Sequence, residues 1–227
     1  MTQDISTKDP RPYHHGDLHR AIVEAALDVL SESQSTEFSL RELARRAGVS
    51  HNAPYKHFAD KRELLAAVSA VGFELLAKRM AEATKELDSP SERLAAMARA
   101  YVSGGVNNPA LYRLMFGGYL GQDDGRPLIE RTAAYSMKAL IVDAISDGAL
   151  GHPIADTEAN TRTFDGAILV FWSQMHGLTL LLADRLVGPS DKMEELTESV
   201  LQGMLEGLAN CIPAIPSGVW VGPPLAE

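Results

Sequence analysis

The residues best suited to engaging another molecule cluster between Ser39 and Arg62. Six basic side chains (Arg41, Arg45, Arg46, Lys56, Lys61 and Arg62) stand there against two acidic ones (Glu42 and Asp60), an excess of four positive charges in a chain whose formal net charge is −9. From Ala66 to Glu227 the balance reverses, with twelve basic residues against twenty acidic. A basic island on an acidic body suits the phosphates of a nucleic acid, although a charge cluster alone is equally a solvated surface. Among these charges lie Ser50, His51, Asn52, Tyr55 and His57. Their side chains hydrogen-bond, as readers of base edges and phosphates must.

Other chemistries find little support. The sequence has no phosphate-cradling glycine loop, no convincing carboxylate pair and no Gly-x-Ser-x-Gly elbow, so no enzyme activity and no cofactor is expected. His14, His15 and His19 could be metal ligands, since the last two are one helical turn apart. A zinc site needs a further ligand, and none is obvious, so no metal is expected. Cys211 is the one cysteine, which rules out an intrachain disulfide and suits a reducing, cytoplasmic setting. The polar N-terminus shows no signal peptide. The run Gly166 to Ala183 is apolar, but Ser173, Gln174 and His176 interrupt it, and a buried helix is expected there, with no membrane partner.

Positioning these groups falls to helices. The pattern predicts an all-α chain of about nine helices: a mobile arm over 1–12, a three-helix helix-turn-helix domain over 13–60, a helical ligand-binding and dimerisation domain over 61–211, and an irregular tail over 212–227. Leu18, Ile22, Ala25, Ala26, Val29 and Leu30 share one face of the first helix. Ser39-Leu-Arg-Glu42 is a capping box opening the second, and Gly48 suits its end. Ser50 is expected to cap a short third helix, about His51 to His57, which must be held by packing through Ala53 and Phe58. Asp60 with Glu63 starts a fourth helix reaching about Leu87, with Leu64, Val68, Val71 and Leu75 on one face. Ser89-Pro-Ser-Glu92, Asn108-Pro109, Pro127, Asp156 and Ser190 mark the starts of the next five, and Gly117 to Arg126 reads as a loop.

Two helices joined by a tight glycine turn, the second short, polar and flanked by basic residues, describe a helix-turn-helix for double-stranded DNA. The strings Ala44-Arg-Arg-Ala-Gly-Val-Ser50, Tyr55-Lys-His-Phe58, Lys61 and Leu64-Leu65 resemble the DNA-binding domain of the TetR family of bacterial repressors, over about Tyr13 to Leu76. Trp172-Ser-Gln-Met-His-Gly177 and Tyr13-His-His-Gly-Asp-Leu18 are similar to a TetR subgroup with a C-terminal Trp…His-Gly signature. The resemblance implies a homodimer that binds a palindromic operator and is released by a small-molecule effector. Two recognition helices would lie about 34–36 Å apart. A ligand-binding or carrier protein with a vestigial helix-turn-helix is the alternative.

Carried over by position, the resemblance assigns Ser39 and Arg41 to phosphates, His51 and Asn52 beside Ser50 to base reading, and Tyr55, Lys56, His57 and Lys61 to the backbone. Pro54 departs from the family pattern: if Ser50 is the cap, this proline forfeits the first i→i−4 bond, and the turn is distorted or starts later. For the effector, Tyr101, Tyr112, Met115, Phe116, Tyr119, Phe164 and Met175 are candidate lining residues, though large apolar residues on helices are usually core. Trp172 and His176, one turn apart, read either as a buried pair or as a ligand contact. Leu178, Leu182, Leu196, Val200 and Met204 are the candidate dimer seam, and Arg93, Arg99 and Arg113 are expected to be surface charges.

Overall fold

A computed structural model describes residues 15–116, 128–151, 158–188 and 192–211, without the side chains of 15–17, 128–135, 138 and 158–164. Among the described residues the chain is helical, with eight α-helices and one short 3-10 turn. The predicted arm, Gly117–Arg126 loop and tail, the starts at Pro127, Asp156 and Ser190, and Tyr119 lie outside the described residues, as does the side chain of Phe164. The chain divides into two compact units, Met1–Leu64 and Leu65–Glu227.

In the first unit α1 (His15–Ser33) turns Leu18, Ile22, Ala26, Val29 and Leu30 inward, the spacing of one helical face. Next, α2 (Leu40–Arg46) begins at Ser39, whose hydroxyl accepts the Glu42 N–H at 3.2 Å. The Glu42 carboxylate turns instead toward Arg46, 3.8 Å away. The helix stops as expected at Gly48. Its φ of +69° lets Val49 N–H reach the Ala44 carbonyl and Gly48 N–H the Arg45 carbonyl, which satisfies two carbonyls the helix leaves open.

The predicted third helix is a single 3-10 turn, η1 (Pro54–Lys56), with Ala53 rather than Ser50 at its N-terminal boundary. The cause is Pro54. It has no N–H to give the Ser50 carbonyl, so an α-helix begun at His51 cannot propagate through it. The Ser50 carbonyl accepts from Ala53 instead, 2.9 Å away, and His57 and Phe58 both donate to the Pro54 carbonyl. Pro54 and Phe58 are buried, while Ala53 is only partly so; the turn is therefore anchored by the proline ring and Phe58.

The second unit contains most of α3 (Lys61–Thr84), then α4 (Pro90–Asn107), α5 (Pro109–Phe116), α6 (Leu128–Ser146), α7 (Glu158–Ala183) and α8 (Met193–Asn210). Ser89 caps α4 by accepting the Glu92 N–H, and Pro90 occupies the first helical position. On α3, Leu75 is 53% exposed; Phe73, Leu76 and Met80 carry the buried face in its place. One stretch of α7, Asp165–Ala183, is long and apolar enough to cross a membrane. Its Ile168, Phe171, Met175, Leu178 and Leu182 nevertheless pack into this unit's own core, at the 3–4 residue spacing of one helical face.

α4 packs mainly on α7 and α6. At the centre, Gly105 of α4 lies so near its neighbours that an added Cβ would sit 2.7 Å from Tyr112 Cδ2, and closer still to Thr179 Cγ2. Gly105→Ala should therefore lower the thermal unfolding midpoint, by an overpacking cost of roughly 1–3 kcal/mol that exceeds alanine's helix-propensity gain of about 1 kcal/mol. An unchanged or raised midpoint would show that the helices can separate without loss.

Candidate nucleic-acid interface and effector site

The polar residues around η1 stand on an apolar floor. Ser50, His51, Asn52, Tyr55 and Lys56 are exposed, Tyr55 by 51%, above buried Pro54 and Phe58. Ser39 and Arg41 are exposed at the start of α2. His57 is half-buried, its ring 6.4 Å from that of His19. His19 in turn lies 4.7 Å from the Phe58 ring, a contact between α1 and the segment just after η1 that no local spacing announced. Lys61 is partly buried, with its ammonium 5.1 Å above the Phe38 ring, which fixes the charge at the head of α3. The basic island is thinner than its count: Arg46 is paired with Glu32 at 2.7 Å.

In the second unit the structure brings Tyr101, Tyr112, Phe116, Trp172 and His176 together. Phe116 is the hub, 4.8 Å from both the Tyr112 and His176 rings, 5.1 Å from Phe73, and 6.3 Å from Tyr101 and Trp172. The polar atoms of the cluster meet at one point. Tyr112 OH is 2.6 Å from His176 Nδ1 and 2.9 Å from Tyr101 OH, and Trp172 Nε1–H donates to Tyr101 OH at 3.3 Å. Tyr101 OH is 3.4 Å from the same Nδ1. Burial pushes both phenols well above their ordinary ionisation range, so both keep their protons. Burial also lowers the pKa of His176, favouring a neutral ring. Met115 and Met175 are buried beside the cluster, Met115 with its sulfur against Gly72.

The seam candidates divide. Leu178, Leu182 and Met204 are buried in the protomer's own core, and Leu196 and Val200 are half-buried against it. The outer side of these helices carries other residues. Leu169 and Leu181 are 37% and 41% exposed on α7, and a Cβ added at Gly177, Gly203 or Gly207 would meet nothing within 4 Å. The three arginines are more than surface charge. Arg93 pairs with Asp147 at 2.5 Å, Arg113 with Asp184, and Arg99 holds Glu198 with two nitrogens, joining α4 to α6, α5 to the end of α7, and α4 to α8. The Arg99 contact draws the Glu198 pKa down.

Comparison with known proteins gives concordant results. The tetR family model of bacterial regulatory proteins matches residues 22–68, and a tetracyclin repressor-like C-terminal domain matches residues 94–204. The chain is 28% identical over 169 residues to an uncharacterized HTH-type transcriptional regulator of Haemophilus influenzae, covering 73% of this chain and 80% of that one. A solved protein of unknown function from Rhodococcus sp. RHA1 shares 31% identity with a TM-score of 0.72, over 88% of this chain and 100% of the other. The regulator FadR of Bacillus subtilis, solved with stearoyl-CoA, shares the fold at 16% identity and a TM-score of 0.64, over 83% and 98% of the two chains.

The lowered pKa of His176 makes stability depend on pH. The unfolded chain binds a proton near the ordinary value of 6.5 and the folded ring only below it, so the unfolded state holds more protons between the two. Stability contributed by the neutral ring is present above pH 6.5 and lost as pH falls toward the folded pKa. Denaturant midpoints measured from pH 7.5 to 5 should fall, and His176→Gln should flatten that part of the profile; equal slopes in both proteins would contradict the assignment.

Proposed function

The chain belongs to the TetR family of bacterial regulatory proteins, DNA-binding transcription regulators, and on that premise we propose that it is a cytoplasmic, ligand-responsive repressor, a homodimer that holds a palindromic operator and releases it when a small molecule enters the second unit. The observation that carries the DNA half of this reading is the burial pattern of η1. Pro54 and Phe58 face in, while Ser50, His51, Asn52, Tyr55 and Lys56 face out. A turn with its apolar side anchored presents hydrogen-bonding tips without needing helical stability of its own. His51 and Asn52 lead the turn and read bases, and Asn pairs bidentately with adenine. Tyr55, Lys56, His57 and Lys61, with Ser39 and Arg41 at the head of α2, hold phosphates.

For the sensing half, the cluster of Tyr101, Tyr112, Phe116, Trp172 and His176 is the effector site: a mostly aromatic surface with a few convergent polar atoms. Met115 and Met175 back it. Binding there shifts the protein between DNA-competent and released states only by the ligand's difference in affinity for the two. The second copy sits on the outer faces of α7 and α8, where Gly177, Gly203 and Gly207 permit close helix approach and Leu169 and Leu181 supply apolar surface. A two-fold axis makes such a face self-complementary.

Fluorescence anisotropy with the chain's own upstream DNA tests the reading. Saturable, sequence-specific and salt-dependent binding is expected. Asn52→Ala should weaken the specific sequence by roughly 1–3 kcal/mol, whereas Lys56→Ala should weaken all duplexes alike and reduce the salt slope by about one. Equal affinity for upstream and unrelated DNA would remove the proposal. The dimer face is tested separately: Gly203→Arg has room within the protomer, so it should leave the unfolding curve of the monomer intact and shift sedimentation from dimer to monomer. A persistent dimer would place the seam elsewhere.

A further inference from the structure

His19 is exposed on α1, yet its ring is held in place. It lies 4.7 Å from the buried Phe58 ring, tilted 32° to it, and 6.4 Å from the His57 ring, edge to face. Phe58 gives its N–H to the Pro54 carbonyl, so the ring under His19 is tied to the anchor of η1. His57 gives its own N–H to the same carbonyl. Two imidazoles from separate elements thus meet at the end of the turn that carries exposed Tyr55 and Lys56. Among the described residues neither imidazole takes a hydrogen bond or an ion pair.

The charged groups of the surrounding elements either have other partners or add positive charge. On α1, Glu24 pairs with Arg20 at 2.7 Å. After η1, the Asp60 carboxylate accepts the Glu63 N–H and the Glu63 carboxylate accepts the Ala59 N–H. At the head of α3, Lys61 stands over Phe38. On α2, Arg46 holds Glu32 and lies near Glu42, while Arg41 and Arg45 are exposed. A protonated imidazole donates through both nitrogens and carries a full charge. Two such cations side by side repel, and an anion shared between them offsets that repulsion. We propose that His19 belongs to the DNA interface: with His57 it takes one backbone phosphate between α1 and the end of η1, and protonation of the pair makes operator binding tighten as pH falls. A bound phosphate favours the charged imidazole, so the complex takes up protons. The gain is present in the lower part of the histidine range, between about pH 5 and 8, and is lost as pH rises through it. The proposal rests on reading the first unit as the DNA binder.

Anisotropy with the upstream DNA at pH 8 and pH 6 tests it. Wild type should gain at least about fivefold more affinity between the two than His19→Phe, as one charge-assisted contact implies, and its salt slope at pH 6 should be steeper by about one. Phenylalanine keeps a ring on Phe58 and removes both donors, so a purely packing role predicts equal pH profiles. His51 and His176 titrate in both proteins and cancel. Carbon NMR of the wild type labelled with 13C-histidine, assigned through backbone correlations, reads the same event without a variant. Upstream DNA should raise the titration midpoints of His19 and His57 together, and equimolar inorganic phosphate should not. Equal pH profiles, a His19 midpoint unmoved by DNA, or an equal rise with inorganic phosphate overturns the proposal. Specific DNA binding with any of those results refutes the imidazole pair alone; no specific binding at either pH refutes the regulator as well.

Discussion

The near-contact at Gly105 sets the geometry of the C-terminal unit. Two side chains occupy the space a Cβ would need, Thr179 from α7 and Tyr112 from α5. Glycine inside a helix costs roughly 1 kcal/mol relative to alanine, so its place near the end of α4 requires compensation. Close approach provides it. With α4 against α7, Tyr101 on the first and His176 on the second come within reach of one phenol, Tyr112, which bridges them. Widen that crossing by the depth of a methyl group and the 2.6 Å contact to Nδ1 opens beyond a hydrogen bond. The same crossing buries Phe171 and Met175. Packing and polar alignment here are one constraint seen twice.

Around that centre, charge closes the unit. Arg93, Arg99 and Arg113 each reach a carboxylate on another element. Exposed pairs of this kind contribute little stability, typically below about 1 kcal/mol, and salt screens them. Their effect is on register: a guanidinium holding Glu198 through two nitrogens tolerates little sliding of α8 along α4.

Local chemistry was readable from the sequence where one residue's options decide the backbone. Ser39, Ser89 and Asp60 accept N–H groups three residues on, and Gly48 takes a positive φ, as their types and spacing predicted. The Trp172–His176 pair was legible as a pair, one turn apart. Its partners Tyr101 and Tyr112 stood among the candidates, but the contact joining them spans 64 to 75 positions and leaves no periodic trace. Faces failed where periodicity was absent. α7 is apolar nearly all round, so nothing in its pattern told Leu178 and Leu182, which pack inward, from Leu169 and Leu181, which do not. The structure separates them: a Cβ added at Gly177, Gly203 or Gly207 meets nothing within 4 Å, so these positions face out of the protomer's own packing.

In η1 one residue both breaks a helix and anchors what replaces it. Pro54 disqualifies the α-helix that spacing suggested, yet the turn persists, because its stability was never helical. A nucleus of one turn fixes several torsions for one bond and is unfavourable alone. Pro54 reduces that cost before folding begins, since its φ is already set. Its ring then serves as a buried anchor beside Phe58, and its carbonyl takes both the His57 and Phe58 N–H groups. The residue that breaks the predicted helix thereby rigidifies what replaces it. His51 and Asn52 lie before the proline and Tyr55 and Lys56 after it, so the fixed point falls between the proposed base readers and the proposed phosphate contacts that follow them. On the proposed reading, a side chain at a base edge gains specificity only if its angle to the backbone contacts is held, and proline, not helical hydrogen bonding, would hold it.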